Sequence, residues 1–476
     1  MSKNLILEYV SIDECPKAEV LASMTELTLG DLHANAVKLL YCLVRAGFFE
    51  ISSAHYERIV EIYGTFMDTV DACLVEDKKL KAQQFLPPNI AEIKPQNDIF
   101  KPAQALLAEF DELLANIKVT NQGVLLRLLG DEVGDRGAND YFILKILEKL
   151  RKASVPYEIL ISNHALGFIE AYELAQRFEY PSLGMDQARS LYNLQKLIDH
   201  NLITRSQVVN LINYAYKPAL KALSYSLDHA NNTITLYSHA PVDLTIIKFL
   251  TEKFNEKYQK DLRVGITYQD ESIEELAETI ECINKEYTVH AELNFIHILY
   301  DRESIGCDPY AKPNAQNPFE MLTWNRDYEQ IQRATKHKGY NIHYVHGHDA
   351  TGVTDECSYW NLDNTLGKTS ISYGYNAAAR KIYNSNFYGE YTILVSDERK
   401  LEDAASFYQD IDSEEEVEIL YDESQDKKKF NGATVEEISA GTIHNAVQQF
   451  SLFTLKESPS KDPSSAVASA LNLTSL

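Results

Sequence analysis

The sequence predicts an α/β fold. Three apolar runs, at 26–29, 124–129 and 157–161, end in polar residues and precede apolar residues at helical spacing. Further β-rich runs follow at 233–237, 341–345, 358–362 and 391–395. Because ligands bind beyond the carboxyl ends of strands in open α/β sheets, the residues after these runs are the candidates for function.

Composition limits the class of partner. The chain has 476 residues, 45% of them hydrophobic and 24% charged, as in ordinary globular proteins, and its formal net charge is −25. This negative charge repels nucleic-acid phosphates, so no nucleic-acid partner is expected, whereas cation binding suits it. The six cysteines are scattered without a CxxC pair, which indicates a reducing compartment and argues against a zinc ribbon.

Targeting segments are not evident in the sequence. No apolar run is long enough to span a bilayer, and no basic region precedes an apolar core at the N-terminus. We therefore expect no transmembrane segment, no secretory signal peptide, and a protein that is cytoplasmic in the producing cell.

Shifts in composition divide the chain into three parts. A mixed N-terminal segment, 1–24, precedes a main domain, 25–400. The main domain carries largely helical insertions, expected at about 50–120, 185–230 and 243–335. Residues 401–476 are acidic and then rich in Ser, which is typical of a disordered tail.

The stretch 125–137, LLRLLGDEVGDRG, carries the strongest local signal. A buried strand ends at Gly130 and delivers Asp131, and Asp135 and Arg136 follow shortly after. Such a loop combines carboxylates with a guanidinium. A carboxylate can bind metal or orient a base, and the planar N–H donors of a guanidinium suit phosphate. For a single Asp after a strand, a helix cap or a turn is the alternative.

Polar side chains follow five of the predicted strands. They are carboxylates, imidazoles and one amide: Asp31, His33, Asp131, Asn163, His239 and His348. Mixed nitrogen and oxygen ligands suit a pair of divalent ions such as Mn²⁺, Fe²⁺ or Zn²⁺. One carboxylate can bridge both ions, and two ions about 3.5–4 Å apart clamp the attacking and leaving oxygens of a phosphoryl transfer.

Taken in order, these motifs resemble those of the phosphoprotein phosphatases in the calcineurin-like metallophosphatase superfamily. That family has GDxHG, GDxVDRG, GNHE, a lone His and a late His. This chain has Gly30-Asp31-Leu32-His33-Ala34, then 130–137, Ser162-Asn163-His164-Ala165, His239 and Gly347-His348. The resemblance spans about 25–396. It implies a four-layer αββα sandwich, elaborated here by the helical insertions.

The resemblance implies a cofactor of two divalent ions, with Mn²⁺ expected and Fe or Zn as alternatives. Asp31 and His33 would bind the first ion, and Asp131 would bridge both. Asn163, His239 and His348 would complete the coordination of the second ion. A hydroxide held between the ions would attack phosphorus directly.

The resemblance also implies catalytic residues. His164 would protonate the leaving oxygen as general acid, and Asp135 would orient His164 and favour its charged form. Arg136 would bind the phosphoryl oxygens bidentately, with Asn163 as a further substrate contact. A second phosphate-binding arginine of the family is not assigned; the candidates are Arg302, Arg326 and Arg333.

The chain departs from the family pattern at four positions. Gly134 is an extra residue, so Asp131 and Asp135 are four apart instead of three, and the loop is expected to bulge. The other departures are Ala34, Ser162 and Ala165, which replace Gly, Gly and Glu. Every implied metal ligand remains, although the missing Glu removes a side-chain contact that would support the ligands.

The string GDxxxDRGxND, the SNHA motif and the large helical insertions are most similar to the Wip-type phosphatases that some intracellular bacteria inject into host cells. The similarity implies a bacterial effector that is secreted into the host cell and acts there on a phosphoprotein. The acidic, then Ser-rich tail would serve as a signal for type IV secretion machinery. An ordinary disordered terminus is the alternative.

Three functions stay open at this point. The favoured one is a two-metal protein phosphatase that hydrolyses phosphomonoesters on Ser/Thr or Tyr. The second is a nucleotide or dinucleoside polyphosphate hydrolase of the same fold, and the third is a metal-binding pseudophosphatase that acts as an interaction module. The sequence does not separate Ser/Thr from Tyr specificity, because pocket depth decides it.

Overall fold

The computed structural model of the protein describes most of the predicted main domain and part of the N-terminal segment. The described residues are 2–19, 23–83, 96–121, 123–179, 187–258, 265–300, 317–326, 333–349, 354–356, 358–368, 371–372, 381–382 and 387–397. The predicted tail, 401–476, and Arg302 lie outside the described residues.

The described elements include both strands and helices. In chain order the strands are β1 (Ser2–Ser11), β2 (Met24–Leu29), β3 (Phe49–Glu50), β4 (Lys118–Val119), β5 (Leu125–Leu128), β6 (Tyr157–Leu160), β7 (Leu220–Lys221), β8 (Ser224–Asp228), β9 (Thr233–Tyr237), β10 (Lys336–His337), β11 (Tyr340–His346), β12 (Thr354–Glu356), β13 (Tyr359–Asn361), β14 (Ile371–Ser372), β15 (Lys381–Ile382) and β16 (Tyr388–Asp397). The helices are α1 (Ala36–Arg45), α2 (Ser53–Gln83), α3 (Gln96–Ile99), α4 (Lys101–Asn116), α5 (Asp140–Lys152), α6 (Asn163–Glu173), α7 (Arg189–Asp199), α8 (Arg205–Leu211), α9 (Leu244–Tyr258), α10 (Ile273–Glu292) and α11 (Pro318–Trp324). A π-helical turn, Ile212–Tyr216, follows α8, and 3₁₀ turns lie at Lys217–Ala219 and Ile296–Leu299.

Two mixed sheets form the centre of the molecule. The first has the strand order β1-β16-β2-β5-β6-β7, in which β2, β5, β6 and β7 are parallel. The second has the order β12-β13-β11-β9-β8, in which β13, β11 and β9 are parallel. Because parallel strands end on the same side, each sheet gathers several carboxyl ends at one edge. The α/β class predicted from the sequence is confirmed.

The seven predicted strands are present as β2, β5, β6, β9, β11, β13 and β16, and their bounds lie within three residues of the predicted ones. Two features differ from the prediction. Segment 1–24 supplies the edge strand β1, which pairs along its length with β16. The stretch 185–230, expected to be helical, ends in β7 and β8. These strands are fixed by pairing with β6 and β9, a tertiary contact that local periodicity does not reveal.

Each of the three strand–loop–helix units begins its helix at a side-chain cap. The side-chain oxygen of Asn35 accepts from the backbone N–H groups of Val37 and Lys38 at the start of α1. Asn139 caps α5 and Ser162 caps α6 in the same way. Caps of this kind satisfy N–H groups that the helix itself leaves unpaired. Each loop between strand and helix is therefore held at both ends.

Apolar side chains from both sheets meet in one buried layer. The residues are Leu129, Leu160, Tyr237, Val345, Trp360, Leu362 and Leu394. They come from β6, β9, β11, β13 and β16 or follow directly on β5 and β13. The two sheets therefore pack face to face, and the carboxyl ends of their parallel strands approach each other.

A charged network is buried between the same two sheets. Arg127 on β5 is fully buried, and its Nε lies 2.5 Å from Glu158 Oε1 and donates to Ser224 Oγ at 2.9 Å. Its Nη1 donates to Glu26 Oε2 at 3.3 Å, and its guanidinium lies 3.7 Å from the centroid of the Tyr237 ring. One side chain thus joins strands of both sheets.

No helix among the described residues combines the length and the apolar character needed to cross a membrane.

Removing the Arg127 cation should destabilise the sandwich. We expect Arg127→Leu to lower the free energy of unfolding by about 3–5 kcal/mol, because the largely buried Glu158 would lose its cation and Glu26 would keep only Lys3. Urea denaturation of the purified protein measures this. The control is Arg177→Leu, since Arg177 is 56% exposed and pairs with Asp199 at the surface; its effect should be below about 1 kcal/mol. Equal effects of the two variants would contradict a structural role for the network.

Candidate metal centre

The loops after β2, β5 and β6 are joined to one another by hydrogen bonds. The N–H of Ala34 donates to the carbonyl oxygen of Asp131 at 2.7 Å. The N–H of Asp131 donates to Ser162 Oγ at 3.0 Å, and the same hydroxyl accepts from Ala165 N. Ser162, where the family pattern has Gly, therefore joins the second loop to the third. These bonds bring together Asp31, His33, Asp131, Asn163 and His164.

The second sheet contributes two imidazoles to the same place. His239 Nε2 lies 2.8 Å from Asn163 Oδ1 and 3.6 Å from Asp131 Oδ1. The backbone N–H of His348 donates to Asp31 Oδ2 at 3.0 Å, and the His239 and His348 rings are 5.0 Å apart. All six predicted ligands, drawn from residues 31 to 348, thus converge at one buried edge between the sheets.

Two of these side chains leave a ligand atom unused. Within the described part of the chain, Asp131 Oδ1 and His348 Nε2 are buried and have no hydrogen-bond partner. His239 Nδ1 lies 2.9 Å from Leu129 O, so that nitrogen carries the proton, and Nε2 faces the side-chain oxygens of Asn163 and Asp131. Two groups of side chains have ligand atoms close enough for one ion: Asp31, His33 and Asp131, and then Asp131, Asp135 and His164. The first group is the predicted first-ion set, so these residues fit a divalent metal ion, whereas the second group joins Asp131 to the predicted acid and its partner and not to His239 or His348.

His33 is held differently from the other imidazoles. Its Nδ1 lies 3.1 Å from Asp135 Oδ2, and its Nε2 lies 2.7 Å from the carbonyl oxygen of Asn364. Both ring nitrogens face acceptors, so a metal ion bound to His33 would replace one of these contacts. No local pattern predicts the contact with Asn364, because that residue is more than 300 positions away from His33.

The charge of the centre is not balanced by its own residues. Burial, followed by the nearby charges of Asp363 and Asp131, raises the pKa of Asp31 well above its ordinary value. Buried Lys38 donates from Nζ to the carbonyl oxygen of Asp31 at 2.6 Å, and burial lowers the pKa of Lys38 to about 8. Carboxylates that oppose one another's ionisation in this way favour a bound cation.

Asp135 links the predicted acid to the predicted phosphate ligand. His164 Nδ1 lies 3.5 Å from Asp135 Oδ1, and Arg136 Nη1 donates to the same oxygen at 2.9 Å. Burial alone would raise the pKa of Asp135, but His164, Arg136 and His33 outweigh it and hold that pKa well below its usual range. Asp135 is therefore a carboxylate that fixes two neighbours. Arg136 is held on its other side by Gln187 Oε1.

Backbone strain is concentrated in these loops. Four of the non-glycine residues with left-handed backbone lie here, namely His33, Ala34, Asp131 and His348, with φ between 52° and 63°. The extra residue Gly134 has φ +72°, and a Cβ there would lie 2.5 Å from His164 O. A Cβ on Gly347 would lie 1.9 Å from Asp31 Oδ1. Glycine is therefore required where the loop bulges and where β11 passes Asp31.

The helical insertions contact the loop between β5 and α5 from behind. Tyr63 of α2 accepts at its hydroxyl from Ala138 N at 3.0 Å, and Asn193 of α7 donates to Ala138 O at 2.7 Å. Tyr216, in the π-helical turn, donates its hydroxyl to buried Glu132, whose pKa burial raises to about 8. No local sequence signal identifies these residues, because each lies on a helix far from the motifs.

The arginine candidates have different environments. Arg326 Nη1 donates to His348 O at 3.2 Å, which places its guanidinium beside the centre. Arg333 lies over the rings of Tyr344 and Tyr359, 5.6 and 5.5 Å from their centroids. His346, the neighbour of His348 on β11, has Nδ1 2.8 Å from Gly347 O, and burial lowers the pKa of His346 to about 3.

Comparisons with known proteins agree with this site. A family model described as "WipA-like, phosphatase domain" matches residues 125–368. The crystal structure of the phosphatase domain from the Legionella effector WipB is similar, with 33% sequence identity, coverage of 68% of this chain and 100% of that chain, and a TM-score of 0.56. No curated protein matches the chain.

The class that this fold and these comparisons define is a phosphatase. The chain belongs to the WipA-like phosphatase family. The resemblance to Wip-type phosphatases inferred from the motifs is confirmed.

Replacing the extra glycine should disturb the loop. We expect Gly134→Ala to cost about 1–3 kcal/mol of stability, because an L-residue is strained at φ +72°. The control is Gly64→Ala in α2, where a Cβ meets nothing within 4 Å and should stabilise the helix by about 0.5–1 kcal/mol. Thermal unfolding of both variants measures the difference. A neutral Gly134→Ala would show that the loop tolerates a side chain at the bulge.

Proposed function

We propose that the protein is a two-metal phosphoprotein phosphatase with a calcineurin-like αββα sandwich, which hydrolyses phosphomonoesters on Ser/Thr or Tyr side chains. The observation that carries this proposal is the convergence of six ligand side chains in which Asp131 Oδ1 and His348 Nε2 lack hydrogen-bond partners among the described residues. A buried polar atom without a partner costs about 1–3 kcal/mol. Bound cations would remove that cost at both atoms.

The first ion would be held by Asp31, His33 and Asp131. The second would be held by Asp131 and by three further side chains, namely Asn163, His239 and His348. Two divalent ions, Mn²⁺ by preference with Fe or Zn as alternatives, would lower the pKa of a water nucleophile and offset negative charge on the phosphoryl oxygens when bound.

His164 is suited to protonate the leaving oxygen. Its Nδ1 faces two acceptors, Asp135 Oδ1 at 3.5 Å and Gly134 O at 3.3 Å, so Nε2 is the nitrogen left to deliver a proton. The carboxylate of Asp135 would orient the imidazole for this proton transfer. His164 is the second residue of α6, which fixes its backbone at the edge of the centre.

Arg136 and Arg326 are suited to bind the phosphoryl oxygens. Arg136 is 21% exposed and is preorganised by Asp135 and Gln187. Arg326 is bonded to the backbone of His348, beside the second ion's proposed ligands. Arg333 is less suited, because its guanidinium is stacked on two tyrosine rings. Asn163 would contact the substrate as well as the metal.

Family membership supports a proposal for the substrate and the place of action. The similar phosphatase domain of WipB comes from a Legionella effector. We propose that this protein likewise is made in a bacterial cytoplasm and acts on a phosphoprotein in a host cell. The tail 401–476 would engage type IV secretion machinery.

The general-acid role makes the loss of activity depend on the leaving group. We expect His164→Gln to lower kcat by about 10²–10⁴-fold on a phosphoserine peptide, where the alkoxide needs a proton, and by less on p-nitrophenyl phosphate. Steady-state kinetics on both substrates measure this. The control is His229→Gln, since His229 is 68% exposed and pairs with Glu274 on the surface. Equal losses on both substrates would contradict the acid assignment.

Activity should require metal at the edge between the sheets. We expect exhaustive chelation to abolish p-nitrophenyl phosphate hydrolysis and added Mn²⁺ to restore it, with two ions per chain by elemental analysis. Asp131→Asn should bind fewer ions and lose activity, because the bridging carboxylate is gone. Full activity in the chelated protein would refute the proposal.

A further inference from the structure

We infer that Asp363 is a fourth protein ligand of the first metal ion, beside Asp31, His33 and Asp131. The inference rests on the proposed two-metal function and adds a residue that the family motifs do not contain. The ligand it would take is a hard divalent cation such as Mn²⁺, which prefers carboxylate oxygens.

The topology brings Asp363 to the same edge as the other ligands. It follows β13, which lies parallel to β11 in the second sheet. In that pairing His346 is opposite Asn361, so His348 and Asp363 each stand two residues beyond the paired positions. Asp363 thus follows a sixth strand, β13, in addition to the five strands that the other proposed ligands follow.

The loop that carries Asp363 is docked on the first ion's proposed ligands. Asp363 Oδ1 lies 3.5 Å from His33 Nε2, and the next residue, Asn364, has its carbonyl oxygen 2.7 Å from the same nitrogen. Lys38 Nζ joins Asp31 O at 2.6 Å to Asn364 Oδ1 at 3.1 Å. The Asp363 carboxylate therefore lies beside His33, a proposed ligand of the first ion.

One carboxylate oxygen of Asp363 also lacks a hydrogen-bond partner among the described residues. Asp363 is 2% exposed, and its Oδ1 has no hydrogen-bond partner within the ranges that the structure describes. Asp131 Oδ1 and His348 Nε2, two proposed ligand atoms, share this state. A buried carboxylate oxygen in such a position is costly unless a cation pairs with it.

The proposed ligand sets are unequal without Asp363. The second ion has Asp131, Asn163, His239 and His348, whereas the first has three protein ligands. A fourth ligand on the first ion makes the two sites equal in number. The alternative is that Asp363 only orients His33 as a hydrogen-bond acceptor, which an amide oxygen could do as well.

Asp363→Asn separates these two roles because it keeps an acceptor and removes the charge. We expect calorimetric titration of the chelated protein with Mn²⁺ to show one site weakened at least about 100-fold and the other little changed. Electron paramagnetic resonance should then show isolated Mn²⁺ instead of a coupled pair. Two sites of unchanged affinity in Asp363→Asn would overturn the inference.

The unfolding temperature, measured with and without Mn²⁺, also distinguishes a metal ligand from a purely structural residue. Without metal, Asp363→Asn should unfold at the same or a higher temperature than the natural chain, because repulsion with Asp31 is relieved. Added Mn²⁺ should raise the unfolding temperature of Asp363→Asn by less than it raises that of the natural chain. A lower unfolding temperature of the metal-free variant, with an unchanged rise on adding Mn²⁺, would show that Asp363 is structural.

Asp111→Asn is the matched control, since Asp111 is a partly buried carboxylate bonded to Tyr141 away from the centre. Its Mn²⁺ affinities should equal those of the natural chain. If the natural chain binds no Mn²⁺ and hydrolyses no phosphoester, the proposed function itself fails. If it binds two ions and Asp363→Asn binds them equally well, the function stands and only the Asp363 assignment fails.

Discussion

Negative charge buried between two sheets is the constraint on which the rest of this structure depends. Asp31, Asp131 and Asp363 are all at most 4% exposed and belong to one cluster, and Lys38 is a buried cation bonded beside them. In such an environment carboxylates oppose one another's ionisation, because water no longer screens them. Divalent cations are the simplest way to stabilise the ionised state. A phosphate ester, itself an anion, would then be drawn to the same place.

A second buried charged network shows what a purely structural solution looks like. Between the same sheets, the cations of Arg127 and Lys3 face the carboxylates of Glu26 and Glu158, so that network balances its own charge. The metal centre differs because its carboxylates outnumber the cations bonded to them and several of its ligand atoms lack partners in the described structure. The contrast explains why one network is expected to hold the sheets together and the other to bind ions.

Much of the fold and the site could be predicted from the sequence, because the evidence there is local. Strands that end in Gly-Asp, and the residue order from Asp31 to His348, identify the sheet edge and the chemistry. Tyr63, Asn193 and Asp363 could not be predicted, because their contacts join distant parts of the chain and no short pattern marks them. The same reason applies to β1, β7 and β8, which are strands through their pairing partners.

The central claim is that this edge binds two divalent cations. Anomalous diffraction at the manganese absorption edge, from crystals grown with Mn²⁺, tests it most directly. We expect two peaks of anomalous density on either side of Asp131, one toward Asp31 and His33 and the other toward His239 and His348. The account would be contradicted if this edge of the sheets showed no anomalous density in crystals whose protein is active after they are dissolved.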